Sequence, residues 1–199
     1  MRTKSIISPS RNHPGALRQS FPASKLFDQM SEDAVYAHVI AREKETGMIP
    51  CETEEERDAC LAVYMERHPT AGVDPNVPML VLPPIGNHWV INDSDLPETM
   101  GEDSFFGAWE CADGLVTINM AKARGVHMDR IRVVRNAELA AKDITFMRAV
   151  EDADTDAQAT IKAEKQALRD IPATFDLTTD VDTPEKLKAK WPTELPARE

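Results

Sequence analysis

The longest periodic pattern in the chain is a run of positions at Met120, Ala123, His127, Ile131, Val134, Ala137, Ala141, Ile144 and Met147, each three or four residues after the last. That spacing sets them along one side of a helix, and Gly125 alone interrupts a stretch with no proline. The pattern predicts a long helix from about Met120 to Asp152, on the order of 45 Å at 1.5 Å per residue. A second stripe, Ala157, Ile161, Leu168 and Ile171, follows Thr155 and Gln158, which have the spacing of a capping box, and Pro172 closes it. Two such helices joined by a short turn predict an antiparallel hairpin. Thr183-Pro184-Glu185 then carries the cap and first-turn proline of a short helix, after which Trp191-Pro192 is expected to fold back on the hairpin.

Upstream the pattern breaks into shorter pieces. Val35, Tyr36, Val39 and Ile40 recur at helical spacing after Ser31, Glu32 and Asp33, and Gly47 and Pro50 end that helix. A second short helix opens on Thr53 with Glu56 three residues on, runs through Leu61 and Tyr64 to about His68, and stops at Pro69. From Pro69 to Pro97 the text is proline-rich, with one strand expected at His88 to Ile91. Phe105 to Cys111 and Leu115 to Asn119 flank Ala112-Asp113-Gly114, whose Asp-Gly predicts a β-hairpin that would join the His88 strand in a small sheet.

The first 29 residues read differently. Arg2, Lys4, Arg11, Arg18 and Lys25 are opposed by Asp28 alone, and Pro9, Pro14 and Pro22 discourage a helix, so an extended basic arm is expected, with one short strand at Ser5 to Ser8. The fold class is therefore α+β. It consists of a small antiparallel β-sheet with short helices, followed by a long-helix antiparallel hairpin, and preceded by an extended N-terminal arm. The regions are residues 1–29 for the arm, 30–119 for the small α+β region, and 120–199 for the helical hairpin with its Trp-Pro tail.

Charge narrows the partners. A formal net charge of −11 repels phosphate backbones and anionic lipid heads, which argues against nucleic acid and membrane. No apolar run nears the roughly 18 residues of a membrane span, and the start MRTKSIISPSRNHPG lacks the apolar stretch of a secretory signal. A cytoplasmic protein is expected. Cys51, Cys60 and Cys111, odd in number and widely spaced, read as free, partly buried thiols.

The candidates for chemistry each have a plainer explanation. No P-loop, GxGxxG, GxSxG, HExxH or paired CxxC occurs. Asp152, Asp154 and Asp156 alternate like the start of a calcium loop, but its sixth position is Ala157 and its twelfth Ala163, so a solvated turn before an acidic first turn explains them better. Cys51, Cys60 and His68 lack zinc-ligand spacing. Asp93, Asp95, Glu98 and Glu102 read as a solvated acidic loop, because a glycosidase cleft would need more aromatic lining than 6% of this chain provides. His127, on the long apolar stripe, reads as a hydrogen-bonded packing residue. No catalytic residue, metal site or cofactor is expected.

The stretch from about Leu96 to Glu194 resembles a family of small proteins encoded near tail-fibre genes in phages and prophages of alphaproteobacteria. The resemblance is carried by Leu96-Pro97, Phe106, Ala108-Trp109, Lys122-Ala123-Arg124, Arg130, Arg132, Arg135, Leu139, Phe146-Met147-Arg148, Gln166 to Asp170 and Trp191-Pro192. The last segment is also similar to the ends of tail-fibre assembly and tail-assembly-chaperone-like proteins. The resemblance implies a non-enzymatic tail or tail-fibre-associated structural protein that binds neighbouring virion proteins, residing in the host cytoplasm during assembly and then in the virion tail. The alternative is a dissociable assembly chaperone absent from the mature virion, with an envelope-degrading enzyme a remote third. Expected partners are other phage tail or tail-fibre proteins, with homo-oligomers open. The expected partner-binding residues lie in the arm: Ile6, Ile7, Arg11, Leu17, Arg18, Phe21, Leu26 and Phe27. The segment from Pro69 to Pro97 is the second candidate surface.

Overall fold

A computed structural model describes residues 4–13, 15–99, 101 and 103–198. Arg2 and Pro14 of the expected arm and Glu102 of the acidic loop lie outside the described residues. The chain divides into two compact units, one running to Thr117 and the other starting at Ile118.

The first unit is built on a strand from the expected arm. β1 (Lys4–Pro9) pairs antiparallel with β2 (Leu17–Ser20) on one side and with β3 (Trp89–Asn92) on the other, giving the order β2-β1-β3. Ile6 sits opposite both Ser20 and Val90, and Ile7 opposite Gln19 and Trp89. Two corrections follow. The segment around Ser5 to Ser8 is the central strand of a sheet, and the His88 region pairs with it instead of with the Asp-Gly hairpin. That hairpin, β4 (Trp109–Ala112) and β5 (Leu115–Ile118), is a two-stranded sheet of its own. Asp113 and Gly114 both take positive φ at its turn, the geometry that matches strand twist in a two-residue loop. A continuous apolar pair, Ile6-Ile7, explains the central position: β1 is buried on both faces, which no edge strand needs.

α1 (Glu32–Glu45) and α2 (Glu54–Arg67) complete this unit and pack on each other. Thr53 Oγ1 accepts from the Glu56 N–H at 3.2 Å, as its spacing predicts, but the Glu56 carboxylate reaches back to the N–H of Glu52 at 2.9 Å instead of that of Thr53. Ser31 takes extended backbone at the start of α1 without a side-chain cap.

The second unit is the helical hairpin, α3 (Met120–Glu151) and α4 (Thr155–Thr174), followed by α5 (Pro184–Ala189). The antiparallel register shows in its cross-links. Lys142 Nζ lies 2.6 Å from Glu164, Asp143 pairs with Lys165, and Gln158 Nε2 donates to the Ala149 carbonyl at 3.1 Å. The cap of α4 is Asp154, whose carboxylate accepts from the Ala157 N–H at 2.9 Å, so Thr155 lies inside the helix it was expected to cap. Pro172 is also inside α4, which runs two residues further; in the last turn only one backbone bond is forfeited.

The phase of α3 departs from expectation in its second half. Ala123, His127 and Ile131 are buried as predicted, but Ala137, Ala141, Ile144 and Met147 are exposed, and Lys142, Phe146 and Ala149 take the inner face. The physical reason lies in the pitch. The nine-residue stripe advances by about 3.4 residues per step, less than the 3.6 of a straight helix, so it precesses around the axis and leaves the α4 side. Among the described residues no helix is long and apolar enough to cross a membrane.

α3 has 32 residues and α4 has 20, so roughly three turns of α3 outrun its partner. The chain after α4 covers them. Arg124 donates from Nε to the Leu177 carbonyl and from Nη2 to that of Val181, both at 2.9 Å. His127 Nε2 lies 2.8 Å from the Lys190 carbonyl, which fixes the proton on that nitrogen, and Trp191 stacks edge-on against its ring with centroids 5.9 Å apart. Burial holds the His127 imidazole below its ordinary value, outweighing the upward pull of the Lys190 carbonyl, while Arg130 adds to the depression. The folded state thus favours neutral His127, and its contribution is complete above the unfolded value of about 6.5 and lost as pH falls below it. We expect the melting temperature of the C-terminal unit to drop between pH 7.5 and 5.5, and the His127→Gln protein to show a flatter dependence. Melting curves that rise over that range would contradict this placement of His127.

Candidate functional site

Residues 69–88, between α2 and β3, contain no helix or strand, because Pro69, Pro75, Pro78, Pro83 and Pro84 remove backbone donors and fix φ. The segment is nonetheless held in place. Tyr64 Oη donates to the Pro78 carbonyl at 2.6 Å, the Gly86 N–H donates to the Cys51 carbonyl at 3.0 Å, and His88 Nδ1 lies 3.1 Å from the Glu52 carboxylate. Its stretch from Val81 to Gly86 forms one wall of a cleft of about 450 Å3, and Pro9, Ser10, Arg11 and Gly15 of the N-terminal segment contribute another. Pro50 lies between them. The two surfaces singled out in the sequence therefore meet at one place, with Arg11 exposed on the rim and Val81 and Ile85 exposed along the wall.

A glycine makes this approach possible. α1 ends where Gly47 takes φ +66°, with its N–H donating to the Lys44 carbonyl. A Cβ on Gly47 would stand 3.1 Å from the Val81 carbonyl oxygen and 3.5 Å from an Arg11 guanidinium nitrogen. In the sequence Gly47 reads only as a helix stop; that it also spaces two distant segments has no local signature.

The frame beneath is ionic. Lys44, buried on α1, donates to both carboxylate oxygens of Glu56 at 3.0 and 2.9 Å. The Glu52 N–H and Lys44 together hold the Glu56 carboxyl below the usual carboxylate range. Arg18 makes a bidentate pair with Glu43 at 2.8 and 2.9 Å, and Ser20 Oγ donates to the same carboxylate at 3.0 Å. Cys51 and Cys60 lie with sulfurs 3.8 Å apart as free thiols, and burial and the Cys51 neighbour push the Cys60 thiol up to about 11. A thiol so far above neutral pH is a poor nucleophile. Burial also depresses His88 and raises Cys111.

The expected partner-binding residues divide by location. Ile6 and Ile7 are fully buried in β1, and Arg18 is engaged with Glu43. Leu17 lies in β2 opposite Pro9. Leu26 and Phe27 are half-buried in a 3-10 turn (Ser24–Asp28), with Phe27 edge-on to Tyr36. Arg11 and Phe21 remain exposed.

The residues weighed for catalysis or metal binding have structural employment. Ser5 donates to Asp93, Asn92 donates to Asp95 at 2.7 Å, and Glu98 accepts from the Phe105 N–H and, at 3.3 Å, from the Trp109 indole. Asp154 is the α4 cap. His68 stacks on Tyr64, at the opposite end of α2 from Cys51, and among the described residues no group of three or more His, Cys, Asp or Glu could hold a metal ion.

The hairpin unit is where the chain meets known proteins. Residues 128–194 match the family described as phage tail assembly chaperone protein. The match takes in α3 from its third turn, all of α4 and α5, and Trp191-Pro192, which is 67 of 199 residues. The resemblance drawn from the sequence starts earlier, at Leu96, so Arg124 and the Asp-Gly hairpin fall outside the matched stretch. No curated protein and no solved structure matches the chain. The matched stretch holds the Lys142 to Glu164 cross-link and the Lys190 carbonyl that His127, one residue before the match begins, contacts, so the match covers a scaffold with its closing tail more than a pocket.

For the cleft, Gly47→Ala is the direct probe. Alanine at a positive φ, facing a backbone carbonyl at 3.1 Å, should destabilise the N-terminal unit by about 1 kcal/mol or more. Urea unfolding should show the shift, and an unchanged midpoint would mean that Val81 does not stand where the cleft requires.

Proposed function

We propose that this protein is a non-enzymatic tail assembly chaperone of a bacteriophage, which binds tail proteins in the host cytoplasm before they join the particle and then leaves. The observation that carries this reading is the match of residues 128–194 to the tail assembly chaperone family. The hairpin with its closing tail supplies a rigid body, and the first unit supplies a binding cleft. Prolines give that cleft preformed walls, so a partner segment meets little ordering cost. Its exposed Val81 and Ile85 suit an apolar side chain, and Arg11 on the rim suits a nearby acid. The strongly acidic body keeps the protein soluble and unattached to DNA.

The alternative is a structural protein of the virion tail. The chaperone reading is favoured by the matched family's own description, whereas the resemblance from Leu96 onward to tail-fibre-associated proteins supports the structural alternative. Both readings use the same cleft.

Purified virions and infected-cell extracts separate them. Mass spectrometry should find the chain in complexes with identified tail proteins in extracts, and not in mature particles. Stoichiometric recovery from purified virions would establish the structural alternative, and recovery from neither source would remove both. Loss of the gene should leave heads without functional tails.

A further inference from the structure

Two cysteines beneath the cleft stand within reach of each other. Cys51 sits in the turn after α1 with its side chain buried, and Cys60 lies on α2, partly exposed. They are nine positions apart in the chain, and their sulfurs are 3.8 Å apart. The approach is local in origin. Thr53 caps α2, so Cys60 falls within the first two turns of the helix, on the face that carries Glu56 one turn earlier. Side chains on a helix lean towards its N-terminus, which aims Cys60 back at the turn that holds Cys51.

The surroundings set the chemistry open to this pair. Among the described residues no third His, Cys, Asp or Glu joins the two thiols to complete a metal site, so what remains to them is reaction with each other. Cys60 lines an open groove of about 430 Å3 between α1 and α2, beside Ile40, Ala41 and Lys44, so a small molecule in solution can reach its sulfur. Cys51 is 2% exposed and is shielded from direct attack. Burial and the Cys51 neighbour keep the Cys60 thiol protonated near neutral pH, so exchange at its sulfur is slow. Once Cys60 has reacted, Cys51 is already in position for the second step.

We infer that Cys51 and Cys60 are a redox-sensitive pair, which closes to a disulfide by exchange with a small disulfide such as oxidised glutathione. The Cys60 sulfur, as its thiolate, attacks one sulfur of glutathione disulfide, and the first glutathione leaves and takes up the proton that Cys60 gave up. Cys51 then attacks the Cys60 sulfur of the mixed disulfide, and the second glutathione leaves with the Cys51 proton. Two protein thiols are oxidised, one glutathione disulfide is reduced to two thiols, and no further reactant is needed. Closing the bond draws the sulfurs together by about 2 Å from their 3.8 Å separation. It ties α2 covalently to the turn beneath the cleft, where the Cys51 carbonyl holds the Gly86 N–H. In a reducing compartment the pair stays open. The inference rests on the placement of the two sulfurs and not on the tail-assembly reading.

Incubating the folded chain with millimolar oxidised glutathione, then quenching in acid, alkylating and measuring the intact mass, tests it. The Cys111→Ser chain leaves only the pair. Its free thiols should fall from two to none, its mass should drop by two hydrogens, and peptide mapping should link Cys51 to Cys60 within one chain. The oxidised protein should melt several degrees higher than the reduced one, because the cross-link restricts the unfolded chain, and dithiothreitol should reverse the shift. Cys51→Ser removes the second step, so glutathione should then remain on Cys60 as a stable adduct. If that variant does not fold, the mapping of the intact pair decides alone. Two thiols that stay free overturn the inference, as do a glutathione adduct that persists while Cys51 is present and a bond that forms between chains. A lower melting temperature after oxidation also overturns it, since the fold would then resist the bond. None of these results bears on whether the chain binds tail proteins.

Discussion

A 32-residue helix packed against a 20-residue partner leaves three turns whose inner face must be covered from elsewhere, and the second unit is organised by that mismatch. The covering chain after α4 has little regular structure, so it offers unpaired carbonyls, and α3 supplies the donors that use them. Arg124 takes two of these carbonyls and His127 a third. A buried carbonyl without a donor would cost on the order of 1–3 kcal/mol, so the three bonds select one path for the tail across α3. Leu177, Val181, Leu187 and Leu195 are then buried along that path, and Trp191 closes it over the imidazole.

The first unit answers a different constraint. Its sheet is small, and its central strand comes from the N-terminal segment, so residues far apart in the chain must converge before any core exists. The bidentate Arg18–Glu43 pair joins β2 to α1, and the Tyr36 hydroxyl donates to the Lys4 carbonyl at 2.7 Å from the same helix. Once β1 is held in this way, Pro9 and Arg11 leave its end beside the proline-rich segment, and the cleft follows from where the strand stops.

Local chemistry made most of the elements readable from the sequence. Asp113-Gly114 marks its hairpin, Thr53 and Thr183 cap their helices, and the α4 stripe has its buried positions at Ile161, Leu168 and Ile171 as spaced. What the sequence leaves open is pairing. Ile6-Ile7 reads as an apolar pair in an extended arm whether it meets a partner protein or its own β3, since a strand's neighbours are set by contacts across more than eighty residues. The same gap explains α3. An apolar stripe with a short pitch visits two faces, and nothing within the helix says which half faces α4. The cleft was legible in its two walls, and their meeting depends on Gly47, which has no pattern to announce it.

The proposed binding site is this cleft and not the matched hairpin. Hydrogen exchange followed by mass spectrometry, on the chain alone and in complex with its tail partner, tests that most directly. Amides of Met79 to Gly86 and of Ser10 and Arg11 should exchange at least about tenfold more slowly in the complex, while α4 stays as it was. Protection confined to α4 and the closing tail, with the cleft amides unchanged, would place the tail protein on the hairpin instead.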